Sequence, residues 1–480
     1  MRGLRRLGFA IVTHTHVAGS IHADLAAAAP HWLAVPRDVN ALLPALWSSG
    51  VCKEADGTLS VAGLRVDELA DKVGTPAYVL DEADLKARAA AFVEAFAGWD
   101  VFYAGKAFLC RAVAQWVTEA GCGLDVCTGG ELAVALSAGV DPAKIGLHGN
   151  NKSDDELAAA VDAGVGRIIV DSLPEIDRLA ALAEQRQRRV RVLVRVTAGV
   201  EAHTHSYVAT AHEDQKFGIS IATGDALKAL LRCQDAAWLD LAGIHSHIGS
   251  QIFDADGFEV AARRTLRLRA EFAQASGVLL PELDLGGGFG IAYTSADQPA
   301  TPGDLAVAMR EIVAHESAAL GTPEPHCSIE PGRAICGPSM FTLYTVGTVK
   351  QVPIADGVDR QYVAVDGGMS DNIRTALYAA EYSATLASRR SEAPPRLSRV
   401  VGKHCESGDI VVRDEYLPAD IAAGDLLAVP GAGAYAHSMA SNYNHVPRPP
   451  VVSVADGVVR TLIRRETIAD LLALDVSGEQ

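Results

Sequence analysis

A chain of 480 residues has room for two domains, or for one large barrel with a smaller partner. A hydrophobic fraction of 49% suits a protein with large cores, and a net charge of −17, with no Lys/Arg cluster past the extreme N-terminus, argues against nucleic acid or an anionic membrane as partner. No apolar run approaches the ~20 residues that cross a bilayer, and the eight cysteines (Cys52, Cys110, Cys122, Cys127, Cys233, Cys327, Cys336 and Cys405) contain no CxxC pair, which reads as reduced cytosolic thiols.

The first residues, "MRGLRRLGFAIVTHTHVAGS", place basic before apolar side chains, but Thr13, His14 and His16 break the apolar core that an export signal needs. Residues 1–30 are therefore expected to be a poorly ordered extension. From about residue 80 to 340, short β-rich runs alternate with Ala-rich stretches of helical periodicity. Eight strands are predicted: 100–104, 122–126, 145–148, 167–171, 191–196, 242–247, 282–285 and 326–330. Helical segments such as "AVAQWVTEA", "ELAVALSAG" and "DDELAAAVDAG" separate them. Such alternation implies right-handed βαβ crossovers, and eight repeats imply a TIM (β/α)8 barrel rather than an open sheet.

Beyond about residue 345 the pattern becomes strand-like runs cut by Gly/Asp/Pro turns, as in "LYTVGTVKQVPI" and "GDLLAVPGAGAYA". A mostly antiparallel β-sandwich or barrel is expected over 346–480, joined by 31–80, with the TIM barrel at 81–345. Helices are predicted in it only at 371–388 and 465–475.

Polar residues fall at the C-terminal ends of the barrel strands: Lys106, Asp125, His148, Asp171, Arg195, His247, Gly286 to Gly288, Glu330 and Arg333. In a barrel these ends share the face that carries the active site. "LDLGGGFG" after strand seven and "IEPGRAICG" after strand eight occupy the loops that often bind phosphate, where glycines let backbone N–H groups approach an anion. A phosphate opposite a strand-end lysine points to pyridoxal 5′-phosphate. Its aldehyde would condense with Lys106, whose pKa burial is expected to lower. Glu330 is placed to pair with the ring nitrogen and His247 to pack on the ring face. His203 and His205 in "EAHTHS" read as structural, and no metal site is expected.

The motifs "YAGKA", "LDVCTGGEL", "HGNNKS", "DQKFGIS", "GIHSHIGSQ", "LDLGGGFG", "EPGRAICG", "CESGD" and "GAYAHSMASNYN" follow one another as in bacterial diaminopimelate decarboxylases. These are pyridoxal-phosphate enzymes of the alanine-racemase-like fold, and the chain resembles them over about residues 30 to 475. The resemblance implies that Lys106 is the Schiff-base lysine, that His247 stacks on the pyridine, and that Glu330 pairs with its nitrogen. Gly287, Gly288, Gly332, Arg333 and Tyr435 would hold the phosphate. Arg333, Arg374, Tyr378, Glu406 and Tyr435 would bind substrate, and Cys405 would return a proton after carbon dioxide leaves. Cys405 and Glu406 would act in the partner subunit's site, which implies a homodimer with shared active sites. Asp125 and Glu131 would orient Lys106 or the cofactor hydroxyl.

The implied reaction is decarboxylation of meso-2,6-diaminopimelate to L-lysine, the last step of lysine biosynthesis, in the cytoplasm. Three rivals are an ornithine, arginine or polyamine decarboxylase, a racemase of the same fold, and a non-catalytic homologue. Arg374 with Tyr378, which suit a second carboxylate, oppose the first. Glutamate rather than arginine at the expected ring-nitrogen position opposes the second, and retention of Lys106 and Cys405 opposes the third.

Overall fold

The structure is a computed structural model that describes residues 29–199, 216–355 and 358–477. Residues 1–28 of the expected N-terminal extension, together with His203 and His205, lie outside the described residues.

β1 (Val51–Lys53), β2 (Leu59–Val61) and β3 (Leu64–Arg65) form a small antiparallel sheet, followed by a helix at Val66–Val73 and by β4 (Ala77–Asp81). Eight parallel strands then close into a barrel. They are β5 (Asp100–Ala104), β6 (Gly123–Val126), β7 (Ile145–Leu147), β8 (Arg167–Val170) and β9 (Val190–Thr197), then, after a two-residue strand β10 (Ile219–Ser220), β11 (Leu239–Ser246), β12 (Glu282–Asp284) and β13 (His326–Ile329). Each falls on its predicted stretch. β13 pairs with β5 and so closes the ring, while β10 pairs in parallel with the end of β9. β7 and β8 are buried at every position, as parallel strands covered by helices must be.

The intervening helices begin where polar side chains satisfy their first N–H groups. Thr128 accepts from Glu131 N, Ser153 forms a capping box with Glu156, and Ser172 accepts from Glu175 N ahead of Leu173–Gln185. These short βα loops hold the strand ends in register beneath the site.

The barrel interior is not wholly apolar. Arg167 Nη2 lies 2.7 Å from Asp284 Oδ2 and 3.6 Å from Asp125 Oδ1, and Nη1 donates to Ser328 Oγ at 3.0 Å. Ser328 in turn donates to Asp284 Oδ2 at 2.6 Å, and the Phe102 ring centre lies 3.6 Å from the guanidinium carbon. Gly146 makes room for this layer, since a Cβ there would stand 2.4 Å from Asp125 Oδ1.

β14 (Met340–Ala355), β15 (Val358–Val365), β16 (Thr385–Leu386), β17 (Pro395–Val401), β18 (Ile410–Pro418), β19 (Leu426–Val429), β20 (Val451–Ala455) and β21 (Val458–Ile463) join β4 in a second, mostly antiparallel sheet. β14 is its spine. The first residues of β14 pair with β4 on one edge and β19 on the other, and its remainder pairs with β15. The helix predicted at 371–388 is a single short turn, Arg374–Tyr378. Ala379, at φ 52°, stops it in the left-handed region, and β16 follows. The C-terminal helix is likewise short, Ile468–Leu472, and Thr467 opens it with a capping box.

His437 sits edge-on to Tyr78 of β4 and to Phe108 of the barrel, where burial lowers its pKa to about 4. A histidine depressed in the fold contributes stability that is present above its ordinary value near 6.5 and lost as pH falls toward 4, because the unfolded chain binds the proton first. Between pH 6.5 and 4.5, His437→Gln is expected to lose less of its thermal stability than the wild type. Parallel loss in melting curves across that range would contradict this.

Candidate active site

Lys106 stands on a 3-10 turn, Gly105–Ala107, directly after β5. Tyr103 Oη donates to Phe108 O at 2.7 Å, and the Ala107 carbonyl accepts from Tyr435 N at 2.8 Å and Ser438 Oγ at 2.9 Å. The lysine turn is thus clasped from outside the barrel by a loop between β19 and β20. Tyr435 itself sits at φ 67°, a conformation that a bulky side chain holds only when its surroundings enforce it.

Two adjoining cavities meet at Lys106. One, of about 210 Å³, is lined by Lys106, His247, Gly288, Glu330, Gly332, Arg333, Arg374, Tyr378 and Tyr435, together with Gly249, Ser250 and Met439. The other, of about 270 Å³, shares Lys106, His247 and Glu330 and adds Asp125, Cys127, His148, Asn150, Arg195 and Phe217. The Lys106 side chain is open to these cavities yet surrounded by protein. Its expected depression is not the net result. Burial pushes its pKa down, but Tyr435, Cys127 and Glu330 favour the ammonium and leave it above the ordinary lysine value.

Glu330 ends β13. Its Oε1 lies 3.0 Å from His245 Nε2 and 3.4 Å from His148 Nε2, and the two imidazoles meet edge to face. Burial would raise the carboxyl, but His148, His245 and His247 outweigh it and hold Glu330 well below the usual range. His148, pushed down to about 4 chiefly by burial, is neutral at pH 7 and lies 3.2 Å from Asp125 Oδ1. Burial and the Glu330 charge raise Asp125 well above the ordinary value, so the environments of two neighbouring carboxyls push their pKa values apart. These three groups, His148, His245 and Glu330, lie close enough to ligate an ion. Their position under the cavity floor equally suits a carboxylate fixed by two imidazoles.

His247 follows β11. Its Nδ1 accepts from Gly287 N at 3.2 Å, and burial keeps the ring neutral by lowering its pKa well below 6.5. Gly287 therefore spends its N–H on His247 and does not line the cavity. Its lack of a side chain still matters: a Cβ would stand 2.2 Å from Glu330 O. At Gly288 (φ 110°) a Cβ would meet Gly249 O at 2.6 Å. At both positions the missing side chain lets backbone close in, and at Gly288, which lines the cavity, it leaves a cradle walled by backbone alone.

Arg333 Nη1 donates to Tyr293 Oη and Nη2 to Ser250 Oγ at 2.8 Å, while its guanidinium lies 4.7 Å from the Tyr435 ring centre. Arg374, 5% exposed, donates from Nη1 to Tyr382 Oη and lies 4.8 Å from the Tyr293 ring. Among the described residues no carboxylate lies within ion-pair distance of either arginine. Ser250, Tyr293 and Tyr382 were not identified from sequence. Only Ser250, in "HIGSQ" just past a strand end, carried a positional signal.

Cys405 and Glu406 do not line this cavity. Cys405 is exposed, and its N–H donates to Asn444 Oδ1 at 3.1 Å. Their loop is tied down by Asp409, which accepts from His404 N at 2.7 Å and Met369 N at 2.6 Å. Glu131 accepts from Cys127 N at 2.6 Å and opens the helix Gly129–Ser137, beside the lysine turn rather than within the cavity.

A TIM barrel bearing a lysine, a glycine cradle and a buried carboxylate at one mouth, with a β domain closing over it, defines the barrel-plus-β class of pyridoxal-phosphate enzymes. The family model "Pyridoxal-dependent decarboxylase, pyridoxal binding domain" matches residues 82–337. The diaminopimelate decarboxylase of Mycobacterium tuberculosis (strain H37Rv) is 53% identical over 440 residues, covering 91% of this chain and 98% of that protein. That of Mycobacterium leprae is 49% identical over 470 residues, covering 96% and 100%. Among solved structures, the M. jannaschii diaminopimelate decarboxylase in complex with L-lysine superposes with a TM-score of 0.83 at 31% identity, covering 90% of this chain and 98% of that one. The chain belongs to the diaminopimelate decarboxylase family of pyridoxal-dependent decarboxylases.

Gly287→Ala, purified as folded protein, is expected to retain the cofactor about tenfold less well than wild type, because the added methyl drives the cradle against Glu330 O. Visible absorbance of the bound cofactor after dialysis checks this, and full retention would contradict it.

Proposed function

We propose that this chain decarboxylates meso-2,6-diaminopimelate to L-lysine and carbon dioxide, closing lysine biosynthesis. The observation that carries the reading is the pair of buried arginines, Arg333 and Arg374, whose bonded side-chain partners are hydroxyls, in the cavity that also holds Lys106. Buried guanidinium groups without counter-charges favour an anionic ligand. Lysine bound to the M. jannaschii relative supports the same chemistry.

Bound pyridoxal 5′-phosphate supplies an aldehyde for amines and an electron-withdrawing ring that accepts the charge left by departing carbon dioxide. Lys106 would be the amine that holds the aldehyde between substrates. His247, a neutral flat ring, would pack against the cofactor face, and Glu330, kept ionised beside two imidazoles, would keep a proton on the ring nitrogen. Gly288, Gly332, Arg333 and Tyr435 line the cavity where the phosphate would sit, and Gly287 behind them lets the Glu330 backbone and His247 close in. Arg333 and Tyr435 also face the substrate, and Arg374 with Tyr378 takes its far carboxylate. A substrate lacking that carboxylate leaves Arg374 without an anion and is rejected.

Cys405 and Glu406 lie on a surface loop outside the cavity of their own chain. In a two-fold homodimer the partner's Cys405 returns the proton to the reacting carbon and the partner's Glu406 accepts a hydrogen bond from the distal amine. Eight free thiols favour a cytoplasmic setting, and among the described residues no helix is long and apolar enough to cross a membrane. The division into a barrel at 81–345 and a β domain from 31–80 and 346–480 belongs to the same reading.

Purified protein with added cofactor is to be offered meso-diaminopimelate, ornithine, arginine and carboxynorspermidine separately, with carbon dioxide and product amines assayed. Lysine formed from diaminopimelate alone, and lost in Lys106→Ala, is the expected result. Turnover of another substrate in its place would overturn the assignment of Arg374.

A further inference from the structure

Resting on the diaminopimelate reading, we propose that Tyr382 and Tyr293 are positioning residues that set selectivity for a second carboxylate, by fixing Arg374 in the cavity wall without neutralising it. Tyr382 is 1% exposed and lies outside the cavity lining. Its hydroxyl accepts from Arg374 Nη1 at 2.5 Å. Tyr293 spans both arginines: its hydroxyl accepts from Arg333, and its ring face lies 4.8 Å from the guanidinium carbon of Arg374. The two tyrosine rings meet edge to face at 5.0 Å, so each fixes the other.

The choice of tyrosine has a chemical consequence. An aspartate or glutamate at the same place would orient Arg374 as well, but would cancel its charge and compete with an incoming carboxylate. A phenol accepts the N–H and keeps the charge available, and burial raises the Tyr382 phenol further from ionisation. Ring faces supply part of the solvation that a buried cation loses. Other buried arginines are met differently: Arg167 pairs with Asp284 and Arg360 with Asp414 at 2.9 Å, while Arg269 donates to the Leu280 and Pro323 carbonyls. Arg374 shares its hydroxyl-and-ring environment with Arg333, its neighbour in the same cavity wall.

The test is a double-mutant cycle on the holoenzyme, comparing wild type, Tyr382→Phe, Arg374→Lys and the double variant with meso-diaminopimelate. Tyr382→Phe is expected to raise KM roughly tenfold, the equivalent of one hydrogen bond to a charged group. It should leave kcat within about twofold and the cofactor's visible absorbance unchanged, as for loss of uniform binding. In the Arg374→Lys background the same change should cost less than about threefold, because its partner is already gone. Equal penalties in the two backgrounds, or an unchanged KM, would overturn the proposal. Tyr382→His, which keeps a ring nitrogen as acceptor, covers the case of a Phe variant that fails to fold. Its KM should exceed wild type by less than that of Arg374→Lys, and a larger increase would overturn the proposal. A wild type inactive on diaminopimelate in the same assay overturns the functional reading, and this proposal with it.

Discussion

A guanidinium taken out of water must be compensated, and at the barrel mouth the protein compensates two of them with hydroxyls and ring faces. Arg333 and Arg374 therefore hold a positive wall in place before any ligand arrives. Across the cavity, Glu330 is fixed by His148 and His245, and the environment of Lys106 keeps it an ammonium. The site thus sets a fixed carboxylate at one side against a cationic wall at the other. That is the arrangement a cofactor with a ring nitrogen at one end and a phosphate at the other demands, alongside a substrate carrying carboxylates.

Neither sheet builds this site alone. Lys106, His247, Glu330 and Arg333 come from barrel strand ends, whereas Arg374, Tyr378 and Tyr435 come from loops of the second sheet. The seam is held by the Ala107 carbonyl, which two groups from the Tyr435 loop grip. Below it, the layer of Arg167, Asp284, Ser328 and Asp125 replaces the branched apolar residues that usually fill a TIM barrel. Such a layer gains little stability over apolar packing. It does place Asp125 beside His148, and so links the barrel interior to the groups that fix Glu330.

The barrel was legible because its signals are local. Short apolar runs ending in a polar residue, separated by capped Ala-rich helices, mark βα units whatever the remaining chain does, and the strand-end lysine, glycines and glutamate share one face by topology. What was not legible depended on tertiary context. The turn at Arg374–Tyr378 looks like a longer helix until Ala379 is seen in the left-handed region. Lys106 looks like a lysine depressed by burial until Tyr435, Cys127 and Glu330 beside it are counted. Tyr293 and Tyr382 carry no motif, since a tyrosine that backs an arginine has the same sequence signature as one that fills a core. Gly287 was expected to hold the phosphate; in the fold its N–H donates to His247, and its missing side chain makes room for the Glu330 carbonyl.

On the proposed function, the cationic wall selects for a carboxylate at the far end of the ligand. The most direct measurement is calorimetric titration of the holoenzyme with L-lysine and, separately, with cadaverine, which keeps both amines and lacks the carboxylate. L-lysine is expected to bind roughly 100-fold more tightly, as befits a charge pair formed in a desolvated site. Equal affinities would contradict the account, because Arg374 would then contribute nothing that distinguishes the two.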